Sequence, residues 1–418
     1  MPQGAEIALA IGNEWEVIAT SLGDQRSRIE YELITLLRQL DDRAQDPDSV
    51  IQAILSLIKP FPDAYGILVK AIGSAAPHPT KGAGMPAGYQ KKQRYTVVPV
   101  FYGTDRAPDN ATGSAHSFGS ARGELSYGVA EVSIPDDHRM GAIDRPRWWK
   151  LQFRADPDKH IVLQSIQDLS LAEFEKQARH TLDRGSNNEV LLFVHGFNVD
   201  FGDAVVRTAQ IAYDLHFEGL AMLYGWPSEG SLPSYTIDEA NVAWSRPRFV
   251  QFLTTLRDRL GIGIVHVLAH SMGSRLVAEA LASLAPADAP GARLRQLAFA
   301  APDIDAATFE DLAALFAEKA ERVTLYASSE DYALKASRKV HRYPRAGESG
   351  LDLVIAKGVD TIDATAVDTS LLGHSYYGDN RSVIADLFGL IRHGSPPEER
   401  FGLKPRERFG LRYWLFSP

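Results

Sequence analysis

The chain has 418 residues, 45% hydrophobic and 23% charged, the make-up of a folded protein with one large domain and an added module. A net charge of −9 argues against a nucleic-acid or anionic-membrane binder, because no local basic patch offsets it and KKQR at Lys91–Arg94 is too short. The absence of cysteine excludes disulfides, thiolate nucleophiles and cysteine metal sites.

The opening stretch MPQGAEIALAIGNEWE has no basic segment before its apolar run, and Glu14 and Glu16 follow closely, so it does not read as a signal peptide. No apolar run approaches the ~18 residues of a membrane span. The expectation is a soluble, cytoplasmic protein without a transmembrane segment. Residues 1–72 read as a helical module. Ile29, Leu33, Leu36, Leu37 and Leu40 share one helical face, as do Val50, Ile51, Ile54, Leu55 and Ile58 before Pro60 stops the run. The module holds 11 acidic and 6 basic residues and is a candidate surface for a protein partner or self-association. Residues 73–90, rich in Gly, Ala and Pro, read as a linker.

From residue 91 to 393 the pattern changes class. RYTVVPVFYGT, YGVAEVSIP and HIVLQSIQ read as strands. After Leu171, apolar strands (EVLLFVHG, LAMLYGW, IGIVHVLAH, RQLAFAAPD, RVTLYAS, GVDTID) alternate with helical stretches. Those helices begin near Asp203, Ala240, Met272, Ala306, Asp331 and Arg381. Such alternation predicts an α/β fold, a mainly parallel sheet covered on both faces, with reactive groups beyond the carboxyl ends of its strands. Residues 394–418 form a tail containing ERFGL twice, at Glu399 and Glu407, and ending in an aromatic stretch expected to pack on its own domain.

In IVHVLAHSMGSRLVAEAL the pattern passes from strand to helix across Ser271. A serine hydroxyl becomes a useful nucleophile once a base takes its proton and donors stabilise the oxyanion. A sharp strand-to-helix turn exposes the side chain and aims the following N–H at the reacting carbonyl. Ala269 and Gly273 leave room for that turn, although Ala269 departs from the usual glycine; the alternative is an ordinary helix-capping serine. Three features support the nucleophile. His195-Gly196-Phe197-Asn198 ends a strand two before the serine, so the N–H of Phe197 can join that of Met272 as an oxyanion hole. Asp331, or else Asp303 one strand earlier, can serve as the acid. His374, before the last helix, follows both as the base, which completes the chain order of an α/β-hydrolase triad. Asp303 also suits a turn with Pro302, ahead of a helix that Asp305 can cap. His195, Asn198, Trp226 and His270 are candidate pocket-lining residues, as are Ser228 and Tyr235. No spacing points to a metal and no glycine-rich loop to a nucleotide, so no cofactor is expected.

The segments VFYGTDR, GELSYGVAEVSIP, LLFVHGFN, YGWPS, DEANVAWS, LAHSMGSR, AAPDID, YASSEDYAL and VDTSLLGHSYYGDNRSV together resemble a bacterial group within the esterase/lipase superfamily that is largely of unknown function. The resemblance runs from about Arg94 to Arg392. It implies the α/β-hydrolase fold, a nucleophile at Ser271 and a base at His374, and it supplies no substrate. The expected reaction is hydrolysis of a small-molecule or lipid ester through an acyl-enzyme. Lipid or thioester hydrolysis and acyl transfer are alternatives on the same triad. A catalytically retired scaffold acting through its N-terminal helices is the alternative from another class.

Overall fold

The structure is a computed structural model. It describes residues 94–109, 118–136, 158–184, 188–229, 234–284, 293–330, 341–367 and 381–416, with isolated positions elsewhere. The chain divides into two compact units, Met1–Arg94 with Asp144–His160, and Tyr95–Ile143 with Ile161–Pro418. Apart from isolated positions, the helical module of residues 1–72 and the linker of residues 73–90 lie outside the described residues. The fold below is that of the second unit.

Among the described residues, one 11-stranded sheet runs in the order β10-β11-β9-β8-β7-β6-β4-β5-β1-β2-β3. Its strands are β1 (Tyr95–Pro108), β2 (Phe118–Pro135), β3 (Val162–Leu169), β4 (Glu189–Val194), β5 (Leu220–Gly225), β6 (Ile264–His270), β7 (Arg293–Ala300), β8 (Ala320–Ala327), β9 (Asp360–Asp363), β10 (Leu403–Arg408) and β11 (Leu411–Phe416). From β11 across to β1 every neighbouring pair is parallel; β10 pairs antiparallel at one edge, and β2 and β3 at the other. The central strands are apolar on both faces, as helix-covered parallel strands must be; β4 and β5 are buried almost throughout.

The helices are α1 (Leu171–Arg184), α2 (Phe201–Asp214), α3 (Tyr235–Arg259), α4 (Met272–Ser283), α5 (Ala306–Lys319) and α6 (Arg381–His393). One core holds Phe174 of α1, Phe249 and Phe252 of α3, Leu276 and Val277 of α4, and Phe309 and Phe316 of α5. On the other face Val205 and Ile211 of α2 and Ile384, Leu387 and Leu390 of α6 pack with Trp414 and Phe416 of β11. Two caps fix helix starts, Asp200 accepting from the Asp203 N–H (2.7 Å) and Asp305 from the Thr308 N–H (3.0 Å).

Two sequence expectations change. The stretch set apart as a C-terminal tail contributes β10 and β11 to the same sheet, its core-facing aromatics filling the edge. Helix α3 starts at Tyr235 rather than near Ala240, and it buries the polar residues Asp238, Asn241 and Ser245. Sequence periodicity sees an apolar stripe, and those residues interrupt it.

Candidate active site

All the parallel strands end on the same side, and the residues that follow them meet there. Val194 of β4 is level with Ala269 of β6, and His270 with Ala300 of β7. Ser271 therefore stands at the carboxyl edge between the exits of β4 and β7. Its backbone has φ 48° and ψ −121°, a left-handed conformation that favours glycine, at a cost of about 1–3 kcal/mol. Hydrogen bonds hold it there. The Ser271 N–H donates to Ala300 O (3.0 Å), and the Ser271 carbonyl accepts from the Ser274 N–H (3.0 Å) and the Asp303 N–H (3.1 Å). Ser271 occupies the capping position of α4, yet its side chain makes no capping hydrogen bond. The ordinary capping role is thus unfilled, while the cost of the turn is retained.

Two glycines permit the approach of the neighbouring loop. A Cβ on Gly196 would lie 2.6 Å from His270 Nδ1 and 3.0 Å from Ser271 Cβ. One on Gly273 would lie 2.2 Å from the His195 carbonyl oxygen. The loop after β4 and the first turn of α4 are in contact through these bare backbones. Phe197 and Met272, the expected oxyanion donors, are both buried there. Asn198 (φ 59°) and Ala301 (φ 45°), in the loops after β4 and β7, share the left-handed backbone with Ser271.

His195 is buried, stacked on Trp226 (ring centroids 5.1 Å apart, planes 9° from parallel), and its Nδ1 lies 2.9 Å from Gly196 O. Burial first, and then the Arg106 charge, pull its pKa down to about 3, so the ring is a neutral wall beside the serine. Trp226 is fully buried and donates Nε1–H to the His195 carbonyl (2.7 Å), and His270 is buried beneath the turn. Asn198 is exposed and supplies the loop's left-handed turn. Of the six residues expected to line the pocket, His195, Trp226 and His270 are thus buried around the turn.

Asp303 is brought close to the serine, with its carboxylate already engaged. Oδ1 accepts from Arg345 Nε (2.7 Å) and Ser337 Oγ (2.6 Å), and Oδ2 accepts from the Tyr235 hydroxyl. Tyr235 also packs edge-on against Phe197, with centroids 5.5 Å apart. Asp303 thus ties the serine's backbone, the loop after β4 and the segment around Ser337 into one network. Asp331 and His374 lie outside the described residues.

Sequence reasoning missed a second brace. Arg106, in VFYGTDR, is buried and donates to three carbonyls: Gly119 (3.0 Å), Ser228 (3.2 Å) and Val199 (2.8 Å). It ties the loops after β4 and β5 to β2, and burial lowers its pKa to about 10. The loop after β5 is closed by α3: Ser228 Oγ donates to Asp238 (2.6 Å), and Asn241 Nδ2 to Pro227 O (2.6 Å). These contacts explain segments such as YGWPS and DEANVAWS, which carry no catalytic group. A cavity of about 260 Å³ lies at the opposite ends of β1 and β5, lined by Val97, Pro99 and Leu220, away from this site. Among the described residues no cluster of His, Asp and Glu could hold a metal ion, and no helix is long and apolar enough to cross a membrane.

A mainly parallel sheet between two helical layers, with a strained serine at a strand-to-helix turn, places the chain in the α/β-hydrolase class. The family itself follows from sequence comparison: the model of an alpha/beta hydrolase of unknown function (DUF900) matches residues 170–391, and the chain belongs to that family. No curated protein and no solved structure matches it.

Proposed function

We propose that the protein is a serine hydrolase that cleaves carboxylic esters of small molecules or lipids through an acyl-enzyme on Ser271. The observation that carries this reading is the backbone of Ser271. A serine held at φ 48° at the head of α4, capping nothing, is hard to account for unless its hydroxyl must stand clear of the sheet.

In the proposed cycle, His374 takes the proton from Ser271 as Oγ attacks the ester carbonyl, and gives it to the leaving alkoxide as the tetrahedral intermediate collapses. Water, deprotonated by the same histidine, then attacks the acyl-enzyme and frees the acid. Asp331 fixes the histidine tautomer, and the N–H groups of Phe197 and Met272 face the developing oxyanion. The full engagement of Asp303 by Tyr235, Ser337 and Arg345 favours Asp331 as the acid. Burial and the Arg106 charge draw the His195 pKa down to about 3, too low for an effective proton acceptor, which leaves the base to His374.

A fluorophosphonate probe should label the wild type at Ser271, and Ser271→Ala should lose both labelling and ester turnover while remaining folded. Labelling of a different serine, or unchanged turnover in the variant, overturns the reading. A panel of esters of graded chain length, with a thioester included, then sorts the substrate class.

A further inference from the structure

The outermost strand of the sheet carries a surface that the proposed chemistry does not use. β10 and β11 pair with Leu403 opposite Phe416, Pro405 opposite Trp414 and Glu407 opposite Arg412; Leu403, Trp414 and Phe416 turn that face into the core. The pleat sends the alternate residues to the other face. There Lys404 lies opposite Leu415, Arg406 opposite Tyr413 and Arg408 opposite Leu411. Three cations thus stand in a row beside a row of apolar and aromatic side chains, with Arg408 over the Tyr413 ring at 5.8 Å. The linear sequence hides this patch, because every second residue belongs to the opposite face.

Each copy of ERFGL places a phenylalanine in water at one end of β10. Phe401 is 90% exposed and Phe409 is 93% exposed. Leu351, 97% exposed, adjoins the hairpin tip, where Arg408 donates to the carbonyls of Gly350 (2.9 Å) and Leu351 (3.4 Å). Phe409 (φ 54°) and Gly410 (φ 75°) form the two-residue turn of the hairpin. A turn of that kind calls for Asn, Asp or Gly at its first position. Phenylalanine there is held in an unfavourable backbone conformation with its ring outside the core. Protection of a free sheet edge accounts for Lys404, Pro405 and Arg406. It does not account for the two phenyl rings.

We propose that this hairpin is a docking surface for an anionic phospholipid membrane. Phe401 and Phe409 flank the six residues of β10, one beyond each end, so the exposed rings lie along an open sheet edge rather than around a pocket. Aromatic and leucine side chains enter the interface between headgroups and acyl chains, and the lysine and arginine groups meet the phosphates. A chain of net charge −9 is repelled from such a surface on average, so only its locally basic edge can face it. The proposal does not rest on Ser271.

The test is co-sedimentation of the full-length protein with vesicles of phosphatidylcholine alone and of equal parts phosphatidylcholine and phosphatidylglycerol. The wild type should pellet with the anionic vesicles only, and should be released as salt rises from about 0.1 to about 0.5 M. Phe401→Ser/Phe409→Ser and Lys404→Gln/Arg406→Gln should each weaken binding at least about tenfold. Melting temperatures should stay unchanged, since these side chains lie outside the core. A wild type that stays in solution with anionic vesicles overturns the proposal. So does equal pelleting of both double variants. Self-association lost in Phe401→Ser/Phe409→Ser, without vesicle binding, would assign the edge to a second copy of the chain instead.

Discussion

Among the described residues two buried aspartate–arginine pairs brace the fold, and they serve different ends. Asp303–Arg345 (2.7 Å) sits beside the nucleophile turn, and Asp386–Arg400 (2.9 Å) fastens the C-terminal segment to α6. The first is saturated: two hydroxyls join the arginine on the carboxylate, and the aspartate's own N–H holds the Ser271 carbonyl. The second is sparse. Tyr326 donates to Asp386 Oδ2 (2.6 Å), while Asp386 Oδ1 and Arg400 Nε and Nη2 have no partner among the described residues. Burial raises the Asp386 pKa in spite of the Arg400 charge beside it. Removing two charges from water is repaid only when all their hydrogen-bonding groups are met. The saturated pair stands where a backbone must be held in a costly conformation, and the sparse one where a segment needs only to be fastened.

The largest expected effect separates the brace from the proposed acid. Asp331→Asn should lower turnover on the order of 10⁴-fold with the fold intact, because the histidine loses the partner that fixes its tautomer. Asp303→Asn should act through position. It leaves Arg345 buried beside a neutral group, with about 3–5 kcal/mol lost in denaturant unfolding. A loosened serine turn should cost no more than about 10²-fold in turnover. If Asp303→Asn proves the more inactive of the two, the acid is Asp303 and the assignment to Asp331 fails.

Breaking the second pair should uncouple stability from chemistry. Arg400→Met should cost about 3–5 kcal/mol of unfolding free energy, read from urea titration, by leaving the Asp386 carboxylate unpaired. Turnover on a small soluble ester should stay within about twofold, because this variant leaves the serine turn intact. A large fall in turnover at unchanged stability would mean that the C-terminal pair also shapes the site.

The smallest effect concerns Asp105, a buried carboxylate next to Arg106. Burial raises its pKa from 3.8 to about 6, opposed by the nearby Ser245 and Tyr224 side chains and by the Arg248 charge. A raised carboxyl pKa means that the folded state holds the proton more tightly. The resulting stabilisation is complete below about pH 4 and is lost as pH rises through about 6. Between pH 5 and 7 the wild type should lose about 1 kcal/mol relative to Asp105→Asn, measured as the difference between paired urea titrations. A pH-independent difference would show that Asp105 keeps its charge throughout.

The features readable from sequence are those with a local signature. The change of period across Ser271 marks both the strand end and the helix start, and β4 through β8 are short apolar runs between helices. The braces lack such a signature. Asp303 finds Tyr235, Ser337 and Arg345 at separations of 68, 34 and 42 residues, and no local pattern links them. Arg106 looks like one more charge on a strand, although its guanidinium reaches carbonyls in two different loops and in β2. β10 escaped notice for a related reason: LKPRER is almost wholly exposed, so it lacks the apolar alternation by which a strand is recognised.

The strand order also bears on how the protein is made. β1, β2 and β3 form a meander that can close locally, and β5 joins it through β1 while bringing in β4. From β6 through β9 each strand lands beside one already synthesised, always on the same side. A nascent chain leaving the ribosome amino-terminus first can therefore extend its sheet one strand at a time. Until Leu403–Phe416 emerges, the growing margin ends at β9, with its main-chain donors and acceptors open to any other strand. The final hairpin closes that margin and covers it with lysine, arginine and proline. A stop codon before it would leave a nearly complete sheet with a sticky side, so nonsense products of this gene should accumulate as aggregates rather than as shortened enzymes.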